Sequence, residues 1–446
     1  MEKGRIFWLF SLILALTLFN VDPGRTQTPT AGQPKRGMSN PAITRAYTVE
    51  KGRYGDGLKI YIEADDQNGE MLGLVLLVTF FAITAAAAVS SDKNTAFELS
   101  RSLSLLFKSA VRIALEDPQM AVFALQTVRR QKKADLVRKK LAKQGYHIPP
   151  FMIVSVTRGC NLRCLGCYSH TLPESKGPEM SDDMLHNLFT QAHKLGISIA
   201  LLAGGEPLLR KNLLQITENF PEILFPLFTN GTLMDDTQIN RISRQRNVIP
   251  VLSIEGQKEE TDSRRGQGVF DRLDKVVKTL FDRKIFFGIS VMATRQNFET
   301  VVDESFVRSW IRAGCKLFFF VEYVPLEENV PLMELTDIQR KILWAHICRW
   351  EQNLPALFVA FPGDEEKFGG CLSAGRGFIH VSAQGNLEPC PVAPYSDTSL
   401  EKIPLKEALQ SRFLKTIREN HDRLSETKGG CALWQQRDWV KSLLSL

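Results

Sequence analysis

The sequence predicts an α/β protein built on a parallel sheet, and three observations carry that prediction. Between residues 148 and 325, β-rich runs alternate with helical patterns six times. The short polar motifs of that region all stand at the ends of the β-rich runs. Eight cysteines form no dense, even framework of the kind that staples a secreted domain. Strands are expected at 151–157, 198–203, 223–229, 248–254, 285–293 and 316–323, with helices clearest at 182–194, 271–282 and 300–312. Such a sheet is either doubly wound or an open barrel, and in both cases ligands bind at the carboxyl ends of the strands.

A chain of 446 residues, 44% of them hydrophobic, supports one large core and an appendage. The cationic excess, 56 Lys and Arg against 49 acidic residues, leaves a net charge of +7, too modest at this length to indicate nucleic acid as a partner. Thiols kept reduced and used as metal ligands fit the cysteine pattern better than disulfides do.

Two apolar stretches precede the alternating region. Residues 6–19 follow Lys3 and Arg5, so 1–20 reads as a signal anchor or first membrane span. Residues 21–70 read as loop or linker. Residues 71–91 carry no charge and are long enough to cross the roughly 30 Å apolar core of a bilayer, although a buried core helix is the alternative. Asp65, Asp66 and Glu70 lie before that stretch and Lys93, Arg101, Lys108 and Arg112 after it, which places the following chain in the cytoplasm. Lys35, Arg36 and Arg45 pull against that orientation. Residues 92–147 read as a basic, membrane-proximal helical segment broken at Asp117 and Pro118. Its cations, Arg129, Arg130, Lys132, Lys133, Arg138, Lys139, Lys140 and Lys143, suit an anionic leaflet or equally a solvated helix face.

After the first expected strand come Cys160, Cys164 and Cys167, spaced Cys-x3-Cys-x2-Cys and followed by Tyr168. Three thiols so close serve a metal. Zinc would close its tetrahedron with a fourth ligand such as His170, whereas an iron–sulfur cluster held by three thiolates keeps one iron open. Gly204-Gly205-Glu206-Pro207 ends the second strand, Thr229-Asn230-Gly231-Thr232 the third and Ser253-Ile254-Glu255-Gly256 the fourth; Ser290 stands in the fifth. Singly, each is an ordinary turn. Together at one end of one sheet they make a constellation.

The cysteine spacing and the motifs after it resemble the radical S-adenosylmethionine (radical SAM) superfamily over about residues 151–325. The resemblance implies a partial (β/α)6 parallel barrel with a 4Fe–4S cluster on Cys160, Cys164 and Cys167, whose open iron binds S-adenosylmethionine (SAM). It also gives Gly204, Gly205 and Glu206 the cofactor's amino group, places Ser253, Glu255 and Ser290 near its ribose and carboxylate, and adds Tyr168 and Asn230 to the cofactor's surroundings. Arg265 would meet the cofactor carboxylate, or else pair with Asp262 or Asp271. The chemistry implied is reductive cleavage of SAM to a 5′-deoxyadenosyl radical that takes hydrogen from a C–H bond, fed by a low-potential donor such as flavodoxin or ferredoxin.

Beyond Pro325 a helix at 336–351 precedes Cys371, Gly385 and Cys390, spaced Cys-x13-Gly-x4-Cys, and a later Cys431. This resembles the opening of the SPASM or twitch extension of radical SAM maturases, with Gly385 making a hairpin turn. It implies a small C-terminal α+β domain at 326–446 with one auxiliary iron–sulfur cluster on Cys371, Cys390 and Cys431. The fourth position would be open or filled by Cys315, Cys348 or another residue. The alternative is that these thiols are buried apolar side chains. The functional expectation is a membrane-anchored radical SAM enzyme, its catalytic domain cytoplasmic, acting on a peptide or protein. A membrane lipid substrate is the rival, and a zinc-binding membrane scaffold the non-enzymatic alternative.

Overall fold

Short apolar runs rich in Val, Ile, Leu and Phe become strands covered on both faces, where polar alternation is not needed. A computed structural model describes residues 48–50, 59–61, 118–172, 177–326, 333–361, 370–424 and 431–445. β1 (Thr48–Glu50) and β2 (Lys59–Tyr61) pair antiparallel in a unit of their own, so the segment expected to be loop or linker contains a hairpin. Both apolar stretches, 6–19 and 71–91, lie outside the described residues. Among the described residues no helix is long and apolar enough to cross a membrane.

In the larger unit all six expected strands are present and pair parallel in chain order: β3 (Phe151–Thr157), β4 (Ile199–Gly204), β5 (Phe225–Thr229), β6 (Val248–Ile254), β7 (Gly288–Ala293) and β8 (Leu317–Glu322). The sheet then goes further than the sequence indicated. β9 (Leu357–Phe361) adds parallel to β8, β10 (Phe378–Val381) adds parallel to β3 at the opposite end, and β11 (Leu387–Glu388) pairs antiparallel with β10. The result is a nine-stranded sheet, β11-β10-β3-β4-β5-β6-β7-β8-β9. The sheet bends back on itself, for the rings of Phe361 on β9 and Phe378 on β10 are 5.6 Å apart although six strands lie between them in the sheet. Inside, Phe228 of β5 touches Phe319 of β8 at 4.9 Å. The sheet is thus curled into a barrel, and residues expected to form a separate C-terminal domain supply three of its strands.

Helices cover the outside. The first described helix is α1 (Pro118–Ala142). Then follow α2 (Tyr168–Thr171), α3 (Asp182–Leu195), α4 (Leu213–Glu218), α5 (Asp236–Gln245), α6 (Lys258–Arg265), α7 (Val269–Asp282), α8 (Phe298–Val302), α9 (Glu304–Arg312) and α10 (Asp337–Asn353). Four short helices close the chain: α11 (Leu405–Ala408), α12 (Arg412–Glu419), α13 (Ala432–Gln435) and α14 (Arg437–Ser442). α3 shows how such a helix is made. Ser181 accepts from the Met184 N–H at its start, and Leu185, Leu188, Phe189, Ala192 and Leu195 recur at helical spacing to bury one face. The helix expected at 300–312 is two helices, because the Asp303 side chain accepts from the Ser305 N–H and starts α9 afresh.

The core runs without a break from Ile148 to Val440. Trp350 of α10 is fully buried, its ring 5.8 Å from Phe320 and 6.0 Å from Phe358. Trp350→Ala is therefore expected to cost about 3–5 kcal/mol of stability, read as a lower denaturant midpoint.

Candidate active site

β3 ends at Thr157, and the loop bearing Cys160, Cys164 and Cys167 begins at once, at the carboxyl end of the barrel strands. The loop after β4 lies directly on it. The Gly205 N–H donates to the Thr157 carbonyl at 2.8 Å and the Glu206 N–H to the Gly159 carbonyl at 2.7 Å. Glycine is required for that approach: a Cβ on Gly205 would stand 2.0 Å from the Gly159 oxygen, and one on Gly204, at φ +122°, 2.2 Å from the Thr157 oxygen.

Glu206 is 1% exposed and its carboxylate has three protein donors: the Leu208 N–H at 3.1 Å, the Thr229 hydroxyl at 2.6 Å and the Asn230 N–H at 2.8 Å. Burial raises its pKa, and those bonds together with Arg265 pull it back down. A carboxylate expected to reach the cofactor's amino group is thus also the fastener between the ends of β4 and β5. Asn230 continues the link by donating to Asn161 Oδ1 at 2.9 Å, with Cys160 Sγ 4.0 Å away, while Asn161 donates to Thr232 at 2.8 Å.

At the end of β6, Glu255 is 1% exposed and meets two arginines at a single oxygen. Arg264 Nη1 reaches Oε1 at 2.5 Å, and Arg265 reaches the same Oε1 through Nε at 2.7 Å and Nη2 at 2.5 Å. The alternative pairings of Arg265 do not occur. Asp262 accepts from the N–H groups of Gly268 and Phe270 at the start of α7, and Asp271 pairs with Lys258. Glu255 Oε2 is buried with no hydrogen-bond partner. Burial opposes the charge of Arg265, but Glu255 and Cys164 outweigh it and raise its pKa; its Nη1 lies 4.0 Å from Cys164 Sγ. Burial likewise pushes the Cys164 thiol up, and Arg265 and Arg264 draw it down. The parallel register sets Ser253 of β6 beside Ser290 of β7, so these two hydroxyl-bearing residues share one level of the barrel.

Three contributors carried no sequence signal. Arg264 donates through Nε to the Leu165 carbonyl at 3.1 Å and accepts the Leu165 N–H at its own carbonyl, tying α6 to the cysteine loop. Asn297 holds the carbonyls of Glu255 and Met292 at 2.6 and 2.8 Å. Asn161 is the third. An Arg pair or a loop Asn is too common a local pattern to stand out before the fold brings its partners close.

Burial raises the pKa of Tyr168, which opens α2, and charge on Cys167 and Cys390 adds to the shift. His170 Nε2 donates to the Leu162 carbonyl at 3.2 Å. Among the described residues, no three His, Cys, Asp or Glu side chains converge as a single metal ion would require.

Cys371 and Cys390, each 6% exposed, sit in adjoining loops joined by a bond from the Ala374 N–H to the Pro389 carbonyl at 3.0 Å. Between them Gly385, at φ +80°, makes the turn of the β10–β11 hairpin. Cys431 caps α13. Cys315 belongs to the core: it is fully buried, its thiol donates to the Leu317 carbonyl at 3.4 Å, and burial pushes its pKa up to about 12.

A parallel barrel with three thiols and buried polar groups at its carboxyl mouth is the frame of an enzyme's active site. Residues 154–304 match the model of the radical SAM superfamily, so the chain carries a radical SAM domain and is an iron–sulfur enzyme whose cofactors are a 4Fe–4S cluster and SAM. The AdoMet-dependent heme synthase of Methanosarcina barkeri is 23% identical over 315 residues, 65% of this chain and 89% of that protein. A probable GTP 3′,8-cyclase of Methanococcus vannielii is 26% identical, over 61% of this chain and 95% of its own. In fold the chain is similar to SuiB of Streptococcus suis bound to SAM, with a TM-score of 0.55 at 18% identity over 77% of this chain and 89% of SuiB.

Proposed function

We propose that the protein cleaves SAM reductively and uses the resulting radical to take a hydrogen atom from a peptide or protein substrate. The observation that carries the cofactor assignment is the buried, unpartnered Glu255 Oε2 at the barrel mouth, a polar atom left for a donor from outside the chain. Cys160, Cys164 and Cys167 would hold the 4Fe–4S cluster. The backbone of Gly204 and Gly205, with Tyr168, Glu206, Asn230, Ser253, Glu255, Arg265 and Ser290, would line the SAM site. When bound, the cluster and SAM supply a one-electron reduction that yields methionine and a 5′-deoxyadenosyl radical. The chain's own residues position that chemistry. Arg264 clamps the cysteine loop to α6, Glu206 locks the ends of β4 and β5, and Arg265 brings positive charge to Cys164. Ser253 and Ser290 offer hydroxyls at one level.

The peptide reading is supported by the likeness in fold to SuiB bound to the precursor peptide SuiA, at a TM-score of 0.54, and to anSMEcpe bound to a peptide, at 0.50. Cys371, Cys390 and Cys431 are proposed ligands of a second iron–sulfur cluster. A low-potential flavodoxin or ferredoxin is the proposed electron donor. Membrane anchoring with a cytoplasmic catalytic domain is proposed from residues 71–91. It gains support from α1, where Arg129, Lys133, Lys139 and Lys140 are exposed around an outward Leu136.

The test is anaerobic reconstitution of the full chain with iron and sulfide, reduction by dithionite and addition of SAM. 5′-Deoxyadenosine should form and its yield should rise with a peptide fraction from cell extract. A rise with a lipid extract alone would replace the peptide reading, and protein that loads no iron and makes no 5′-deoxyadenosine would end the radical reading altogether.

A further inference from the structure

Inside the barrel wall, three polar residues from distant parts of the chain form one hydrogen-bonded row. Ser155 Oγ of β3 is 2.9 Å from His380 Nε2 of β10, and His380 Nδ1 is 2.8 Å from Glu388 Oε2 of β11. Their exposures are 8%, 4% and 2%, and Ile379 and Val381 beside His380 are fully buried. A carboxylate only accepts, so His380 Nδ1 carries the proton, and in the neutral ring Nε2 then accepts from the Ser155 hydroxyl. Burying three such groups in an apolar wall is costly unless each is paired, as each is.

The place where the row ends gives it a task. The β3–β4 register slips between Ser155 and Thr157, leaving a bulge at Val156. The glycine loop rests on that bulge: a Cβ on Gly204 would stand 3.3 Å from Ser155 Cα, and the Gly205 N–H is bonded to the Thr157 carbonyl. The far side of the bulge is fixed by Glu179, which accepts from the Thr157 hydroxyl at 3.1 Å and the Arg158 N–H at 2.7 Å. On the other side, beyond its strand pairing with Ala203 of β4, the Ser155 hydroxyl is held by His380 of β10.

We propose that Ser155, His380 and Glu388 form a staple by which the C-terminal strands hold the β3 bulge under the Gly204–Gly205 loop, making Ser155 and His380 positioning residues for SAM. The proposal rests on the SAM site described above and adds that this site is complete only when β10 and β11 are in place. It requires no change of protonation and no reaction at the serine.

Ser155→Ala is the clean test, because it leaves the His380–Glu388 pair intact and removes no volume the core needs. In the reconstituted full chain, the Kd for SAM from equilibrium dialysis and the KM for SAM in 5′-deoxyadenosine formation should both rise about five- to tenfold, the worth of one positioning hydrogen bond. kcat and cluster iron should stay near those of the parent protein, the thermal midpoint should fall by no more than a few degrees for the His380 Nε2 left without its partner, and Ser155→Thr should restore the Kd. Glu388→Gln should give a smaller rise in the same direction. An unchanged Kd in Ser155→Ala overturns the staple, as does a rise matched by loss of iron or by a fall in thermal midpoint of more than a few degrees, which would make the row a support of the fold alone. Because the dialysis reads binding without turnover, a parent protein that binds SAM but does not cleave it would count against the proposed reaction and not against the staple.

Discussion

Cys164→Ala is expected to abolish 5′-deoxyadenosine formation, whereas Cys390→Ala should leave some cleavage of SAM while losing the modified product. Cys164 stands in the loop that Arg264 and Arg265 grip from α6, with Arg265 Nη1 4.0 Å from its sulfur. Losing one of three thiolates leaves an iron without its protein ligand. Cys390 sits in the loop that follows β11, outside the loop of the first three thiols, so its loss leaves those thiols and the glycine loop in place. Iron and sulfide content, with 5′-deoxyadenosine and product measured in the same anaerobic reaction, separate the two sites. Equal loss of 5′-deoxyadenosine in both variants would mean that the C-terminal cysteines maintain the fold and take no part in the chemistry.

Gly205→Ala should lower the rate of 5′-deoxyadenosine formation about a hundredfold or more, the scale expected when a reacting group is displaced by about 1 Å. The added methyl would meet the Gly159 oxygen at 2.0 Å and the Arg158 oxygen at 2.5 Å. Both obstacles are backbone of the cysteine loop, so no side chain can swing aside, and relief must come from moving the loop off Thr157. Overpacking of this kind costs about 1–3 kcal/mol, a loss the barrel survives. Folded protein with disturbed cleavage is the expected phenotype. A variant with near-parent activity and iron content would show that the two loops are less tightly joined than their bonds imply.

The strands were legible because a buried parallel strand announces itself as an apolar run between turn residues, and all six read from the sequence pair in the order read. The cysteine loop and the glycine motifs were legible for a related reason: unusual residues at strand ends have few bland explanations once several occur in succession. What escaped were contacts made by ordinary residues. Arg264 and Asn297 hold the Glu255 region from sites that look like any helix end or loop. Strands β9 and β10 escaped because a four- or five-residue apolar segment does not say which edge it will join.

By itself the sequence determined the radical SAM class, the order of the parallel strands and the loop of three thiols, because periodicity and residue spacing are local and survive without knowledge of the fold. Only the tertiary structure decided that the C-terminal chain adds strands at both ends of the sheet and brings Phe361 to Phe378, that Glu206 fastens one strand end to the next, and that Ser155 meets a histidine 225 residues away. Hydrogen bonds and ring contacts act over a few ångströms of space, and the distance along the chain between two partners carries no record of them.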